Sequence, residues 1–387
     1  MSDGTTTAGP KAPAATGDGE LRRLEDITPS VIFEELQKGV LGQDQALSFV
    51  SVALYKHTTG RVSGNVLLIG NSGTGKTTIM NNIQRLYDTT PEYRWFRVVT
   101  ILNANLLVDG ERTEFHPERI FAAVEQRARS LLGEKPTAAD LKQAIEKATV
   151  CIDEVDKMTT MVLGRPNPIG VVLQQGLLTL MEGEIVPYRT YAWEDGEEKQ
   201  VTLSLDTGRM MFVCGGAFEG LYDQVYERVT KRGGRQKLRS EVVRTADGQV
   251  RTQEKFSLAD FLKFQDLFEF GMVPQFISRF DKLVLLNDLS LETLQEILTK
   301  AYDSPFLRSK RYFETLGVTL EIEKLAAALI SERAAKEPRA GARALRDIFT
   351  EIINPYEFDP LKREALTEDE NGLRLVIDAD TVRRALK

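Results

Sequence analysis

The chain of 387 residues has little of several things. It has only two cysteines, Cys151 and Cys214. Each sits in a short apolar run, and neither belongs to a CxxC spacing, so a disulfide framework and a cysteine-based zinc site are not supported. They read as small buried apolar residues in a reducing compartment. Its two histidines, His57 and His116, are far apart and lack ligand-type neighbours, so both read as structural or surface residues. No apolar run approaches the ~18 residues needed to span a bilayer. The start, "MSDGTTTAGPKAPAATGDGE", lacks the charged end, apolar centre and cleavage site of a secretory signal. A cytoplasmic location and no membrane partner are expected. Excess positive charge is also missing. A net charge of −7 argues against a bulk nucleic-acid binder.

What remains is ordinary globular composition, with 42% apolar and 28% charged residues. Residues 1–22 are small, polar and Pro/Gly-rich and read as a disordered tail. "DITPSVIFEEL" follows as a helix start, with Thr28 or Ser30 as the cap and Pro29 in the first turn. "NVLLIG", "FRVVTI", "TVCID" and "MMFVCG" are short apolar runs typical of buried strands. Helical patterns such as "PERIFAAVEQRARSLL" and "GVVLQQGLLTLM" separate them. That alternation predicts an α/β fold, a parallel sheet flanked by helices over 23–287. Beyond Ser290 the pattern is mainly helical, closing on a strand and a helix in "LRLVIDADTVRRAL". We expect a smaller, mainly helical domain over 288–387, hinged at Asn287–Ser290.

Residues 70–77, "GNSGTGKT", fit the phosphate-loop pattern G-x-x-x-x-G-K-[ST]. Gly70, Asn71, Ser72, Gly73, Thr74 and Gly75 would curl their N–H groups around a phosphate. The helix through Thr78 would aim its positive N-terminal end there. Lys76 would reach the β- and γ-phosphates, and the Thr77 hydroxyl would bind Mg²⁺. "TVCIDEVDKM" ends a strand in two carboxylates. Asp153 is the expected Mg²⁺ partner, and Glu154 the base that orients the attacking water. Glu154 predicts a hydrolase rather than a passive nucleotide holder. The absence of an N-K-x-D guanine motif makes ATP the expected nucleotide.

Together these motifs, in their order along the chain from about Leu24 to Lys387, resemble the AAA+ ATPases of the Clp/Hsl unfoldase branch, nearest to the ClpX family. The resemblance implies a P-loop AAA+ core followed by a small helical lid domain. "VLGQDQALSFVSVALYKH" resembles the adenine-wrapping segment, which implies base contacts at Val40 and Leu41. "GMVPQFISRFDKLVLLNDLS" resembles the box carrying the arginine finger, which gives that role to Arg279 toward a neighbouring subunit. "GARALRDI" resembles the second sensor motif and implicates Arg343. A ring of copies, usually a homo-hexamer, and a protein substrate are implied.

Departures from the family pattern matter as much. A polar tail stands where ClpX carries a cysteine-rich zinc domain, so docking through such a domain is not expected. The Gly-Tyr-Val-Gly grip loop is replaced by "LLVDGERTEFHPERIF", with Glu111 and Arg112 after Gly110. Phe115 could substitute or could be a core residue of the next helix, and the core reading is favoured. "YRTYAWEDGEEKQVTL" reads as a hairpin with an acidic tip in place of a basic pore entrance. The Ile-Gly-Phe triplet that docks the ClpP peptidase has no counterpart, so a ClpP-type partner is not supported. In its place residues 231–255 carry eight basic against three acidic residues. That insert is either a solvated loop or a docking surface, and without interleaved aromatics a protein partner fits better than nucleic acid. "FVCGGAF" offers only small residues at the first sensor, as ClpX does. The expected function is ATP hydrolysis coupled to remodelling, disassembly or unfolding of a protein partner. A nucleotide-gated scaffold or an ATP-driven nucleic-acid motor are the alternatives.

Overall fold

A computed structural model of the chain describes residues 23–61, 64–109, 114–162, 164–231, 239–244, 250–255, 258–337, 340–361, 366–369 and 372–386. The polar tail expected over 1–22 and the tip Gly110–Glu111–Arg112 lie outside these residues.

Five parallel strands form the central sheet: β1 (Asn65–Ile69), β2 (Val99–Asn103), β3 (Thr149–Asp153), β6 (Met211–Gly216) and β9 (Phe280–Leu285), in the order β9-β1-β6-β3-β2. Strand period explains why both faces are covered, since alternate residues point to opposite sides. Val66 and Leu68 of β1, Cys151 of β3 and Val213 of β6 face one core. It is completed by α1 (Pro29–Gln37), α2 (Asp44–Thr58) and α3 (Lys76–Thr89), through Leu36, Leu54 and Ile83. Leu67, Ile69, Ile152 and Cys214 face the other. There α4 (Pro117–Leu132), α5 (Ala138–Glu146) and α6 (Pro168–Met181) contribute Phe121, Ile145 and Leu177. Thr28 caps α1 by position, its hydroxyl 2.8 Å from that of Ser30.

Between β3 and β6 the chain forms a long antiparallel hairpin, β4 (Ile185–Glu194) and β5 (Glu197–Asp206). Its acidic tip is a two-residue turn in which Asp195 and Gly196 both have positive φ, 53° and 85°, the geometry that matches strand twist. One face is pinned to α4: Tyr188 and Thr190 both donate to Glu125, and Arg129 pairs with the same carboxylate. Helix α7 (Leu221–Lys231) leads into a second hairpin, β7 (Arg239–Arg244) and β8 (Val250–Lys255). The basic insert is thus, in its described backbone, a hairpin rather than an open loop. Short helices at Leu258–Phe261, Phe264–Phe270 and Pro274–Ile277 return the chain to β9.

The C-terminal region has its own hydrophobic core, built on Leu298, Phe313, Ile330, Phe349 and Ile377. Helices α8 (Leu291–Lys300), α9 (Pro305–Thr315), α10 (Lys324–Ala335), α11 (Ala342–Phe358) and α12 (Ala379–Ala385) enclose it. A three-stranded sheet also belongs to this region: β10 (Val318–Ile322), β11 (Thr367–Asp369) and β12 (Gly372–Ile377), ordered β10-β12-β11. Only β12 is foreseen in the sequence pattern. No helix among the described residues is long and apolar enough to cross a membrane.

Both cysteines are fully buried without a disulfide, and burial pushes both thiols well up. His57 is buried beside Lys147, and His116 pairs with Glu118 at 2.7 Å. Phe115 packs on α6: a Cβ on Gly176 would lie 2.2 Å from its ring. It is half-buried against the main core, from the short strand Glu114–Phe115 that precedes α4 and not from that helix itself.

Candidate functional site

A cleft of about 710 Å³ opens at the C-terminal edge of the sheet, between the phosphate loop and the C-terminal region, the edge where open α/β sheets take ligands. Strand β1 delivers the loop, and α3 leaves it. Gly73 (φ 73°) and Gly75 (φ 110°) supply left-handed turns that a side chain would oppose. At Gly75 an added Cβ would meet no atom within 4 Å, so this part of the cradle is open.

Lys76 is 8% exposed, and its Nζ donates to the loop's own carbonyls, Gly70 O at 2.6 Å and Asn71 O at 2.9 Å. Burial lowers its ammonium pKa; Asp153 and Asp156 pull it back up, while Arg343 pushes it further down. A cation held this way suits an anionic ligand that replaces weak carbonyl partners with charged oxygens. Thr77 Oγ1 donates to Asp153 Oδ2 at 2.7 Å, joining the phosphate loop to the end of β3. Among the described residues no cluster of three His, Cys, Asp or Glu side chains could hold a metal. Thr77 and Asp153 do fit Mg²⁺, which characteristically takes one or two protein ligands plus substrate phosphates and water.

Glu154 follows with φ 61°, left-handed for a non-glycine residue, a local strain of the kind that collects at functional positions. Its Oε2 accepts from Asn103 Nδ2 at 2.6 Å. Asn103 is the register partner of Asp153 across β2 and β3. Sequence reasoning missed it, because only the sheet order brings these strand ends together. Asp156 is also buried and accepts from the Ala217 N–H at 3.1 Å, fixing the end of β6.

Val40, Leu41, Ser72, Gly73, Thr74, Gly75, Lys76, Thr77, Thr78, Asp153, Glu154 and Arg343 all border the cleft. Leu289, Ile297 and Tyr302 line it from the C-terminal side. Arg343 lies in the first turn of α11, where the Ala342 N–H donates to Gly73 O at 3.0 Å. Arg346, one turn further, also borders the cleft and was not anticipated.

Three of the anticipated residues do not border the cleft of this chain: Gly70, Asn71 and Arg279, the last expected to face a neighbouring subunit. Gly70 and Asn71 begin the loop, where their carbonyls hold Lys76 and the Asn71 amide donates to Asp288 Oδ1 at 2.8 Å. Arg279 does not border the cleft at all; it pairs with Glu182 just beyond α6. Its segment is nonetheless tied to the carboxylate side. Gln174, fully buried on α6, donates to Met158 O at 2.6 Å and accepts from Val273 N–H at 2.7 Å.

The AAA domain family (dynein-related subfamily) matches residues 65–183, from β1 through α6. The ATP-dependent Clp protease ATP-binding subunit ClpX of Bacteroides thetaiotaomicron is 29% identical over 361 residues, covering 89% of this chain and 80% of its own. The corresponding ClpX 2 of Wolinella succinogenes is 30% identical over 369 residues, covering 90% and 83%. The chain belongs to the ClpX family. It is an AAA+ ATPase, and its five-stranded parallel sheet with a largely helical C-terminal region is the α/β P-loop AAA+ fold. Of the segments singled out in the sequence, 188–203 lies within the β4–β5 hairpin and 231–255 contains the β7–β8 hairpin strands.

Proposed function

We propose that the cleft binds ATP with Mg²⁺ and that copies of the chain form a ring, expected to be a homo-hexamer, in which hydrolysis drives remodelling or unfolding of a protein partner. The observation that carries this reading is the paired state of Lys76 and Thr77, a buried ammonium on loop carbonyls beside a hydroxyl already on Asp153. Lys76 binds the β- and γ-phosphates, and the loop N–H groups orient them. Thr77 and Asp153 would hold Mg²⁺, and the ion would supply positive charge against that developing on the phosphate oxygens. Glu154 orients the attacking water and draws its proton. Val40 and Leu41 pack against the base, and Arg343 reaches the phosphates from α11. Arg279 leaves Glu182 to meet the nucleotide of the adjacent copy. The division into an ATPase domain over 23–287 and a lid over 288–387 belongs to the same proposal.

A nucleotide-gated scaffold is the second reading. Its supporting observation is that Asn103 engages Glu154 and Glu182 engages Arg279 within one chain. Unfolding of a tagged fluorescent protein separates the two. ATP-dependent loss of fluorescence supports the motor. Robust ATPase with fluorescence unchanged, across several tags, contradicts it.

A further inference from the structure

One buried side chain joins the phosphate loop to the C-terminal region and takes no part in the proposed chemistry. Gln43 stands at the start of α2 and is 1% exposed, yet its side chain makes no capping bond to that helix. Its Nε2 donates to Thr74 O at 3.0 Å and to Asn287 O at 2.8 Å, and its Oε1 accepts from the Asn287 N–H at 2.9 Å. A primary amide offers two donors and one acceptor oxygen, so both ends of Gln43 are committed. The preceding Gly42 has φ 73°, and a Cβ there would come within 2.5 Å of Thr293 in the first turn of α8. The segment is therefore wedged between the loop on one side and the start of the C-terminal helices on the other.

We infer that Gln43 is a positioning residue that carries the state of the phosphate loop to Asn287 and so sets the angle of the C-terminal region, an inference that rests on reading the cleft as a nucleotide site.

The physical course is short. The Gly70 and Asn71 carbonyls hold the Lys76 ammonium. A phosphate that claims this ammonium frees both carbonyls, and a loop with left-handed glycines at 73 and 75 can resettle at little cost. Thr74 O then moves against the Gln43 amide. Gln43 is enclosed, so the displacement is not lost by rotation into solvent. It passes to Asn287, whose N–H and C=O are both bonded to the same side chain. Asn71, joined to Asp288 at 2.8 Å, moves with the same loop and adds a second link at the surface. Coupling of this kind requires a contiguous network with two arrangements, and the amide supplies the contact between its two ends.

The test uses the full chain with spin labels at Leu106→Cys and Leu325→Cys. These positions are 64% and 54% exposed, whereas Cys151 and Cys214 are buried and stay unlabelled. Labelled chain is diluted with excess unlabelled chain, and label separation is compared between ADP and a non-hydrolysable ATP analogue. Binding is followed separately with a fluorescent nucleotide. The unsubstituted sequence at position 43 should give two separations. Gln43→Met keeps the shape and removes all three hydrogen bonds; it should bind within about tenfold of the parent, a typical size for site-to-site coupling, yet give one separation for both nucleotides. Gln43→Glu, which keeps the acceptor for Asn287 but faces two carbonyls with an oxygen, provides the second variant and should behave alike. A parent-sized shift in either folded variant overturns the inference, as does a parent that shows no shift. Absence of nucleotide binding by the parent overturns the reading of the cleft itself.

Discussion

The Asn103 amide donates to Glu154 Oε2 at 2.6 Å, so the carboxylate expected to activate water is held by a side chain on the neighbouring strand. Asn103 and Asp153 are register partners at the ends of β2 and β3, and the contact follows from that pairing. While the bond stands, one oxygen of Glu154 is committed to Asn103 and not to a water. Asn103→Ala should therefore raise hydrolysis in the absence of a partner protein, by at most about 10²-fold, the upper worth of a hydrogen bond to a charged group. Steady-state phosphate release measures this directly. A fall in rate would show that Asn103 positions Glu154 for catalysis instead of restraining it.

Arg279 lies outside the cleft of its own chain and pairs with Glu182. If it serves the adjacent copy, Arg279→Ala should cost about 10³–10⁵ in turnover, as arginine fingers do, with ATP binding kept. Mixing Arg279→Ala with Glu154→Gln should restore part of the activity, because some interfaces then hold both intact groups. No recovery in mixed assemblies, with mixing verified, would place Arg279 in a role within its own chain.

Gln174 holds Met158 O and Val273 N–H together in the core. Gln174→Leu leaves both backbone groups buried without partners. The expected cost is about 1–3 kcal/mol for each such group, read as a lower urea midpoint at unchanged slope. It should also loosen the register between the Glu154 and Arg279 segments, so turnover should fall more than nucleotide affinity.

His57 is buried with its Nε2 3.3 Å from Lys147 O and its ring edge-on to Phe96. Burial lowers its pKa from 6.5 to about 4; the Lys147 carbonyl opposes that shift and the Lys147 charge adds to it. The unfolded chain thus binds the proton more readily than the folded one. Its contribution to stability is complete above pH 6.5 and is lost as pH falls from there toward 4, by about 3 kcal/mol in all at 1.36 kcal/mol per pKa unit. Thermal unfolding across this window should show the loss, and His57→Phe should flatten it. An unchanged slope in that variant would assign the acid sensitivity to other groups.

The parts of this protein legible in its sequence are those whose physics is local. The phosphate loop is eight contiguous residues between a strand and a helix, so "GNSGTGKT" predicts its own backbone. Asp153 and Glu154 are legible because an apolar run ends on them. Asn103, Gln43 and Gln174 are not, since each acts on residues that only the fold brings near; Gln43 and Asn287 are 244 positions apart. The small β10-β12-β11 sheet was missed for a related reason. Val318–Ile322 is five residues among helices, and its partner Leu373–Ile377 lies far along the chain. The acidic hairpin, by contrast, announces its turn in Asp195-Gly196 and its strands on either side.

The central claim is that this cleft hydrolyses ATP through Glu154. The most direct measurement is steady-state ATPase of the purified chain beside Glu154→Gln, with nucleotide retention measured on both. The account predicts turnover in the parent, a loss of about 10²–10⁴ in the variant, the scale of a positioned general base, and ATP held by both. Equal turnover in the two proteins, or ATP bound by neither, would contradict it.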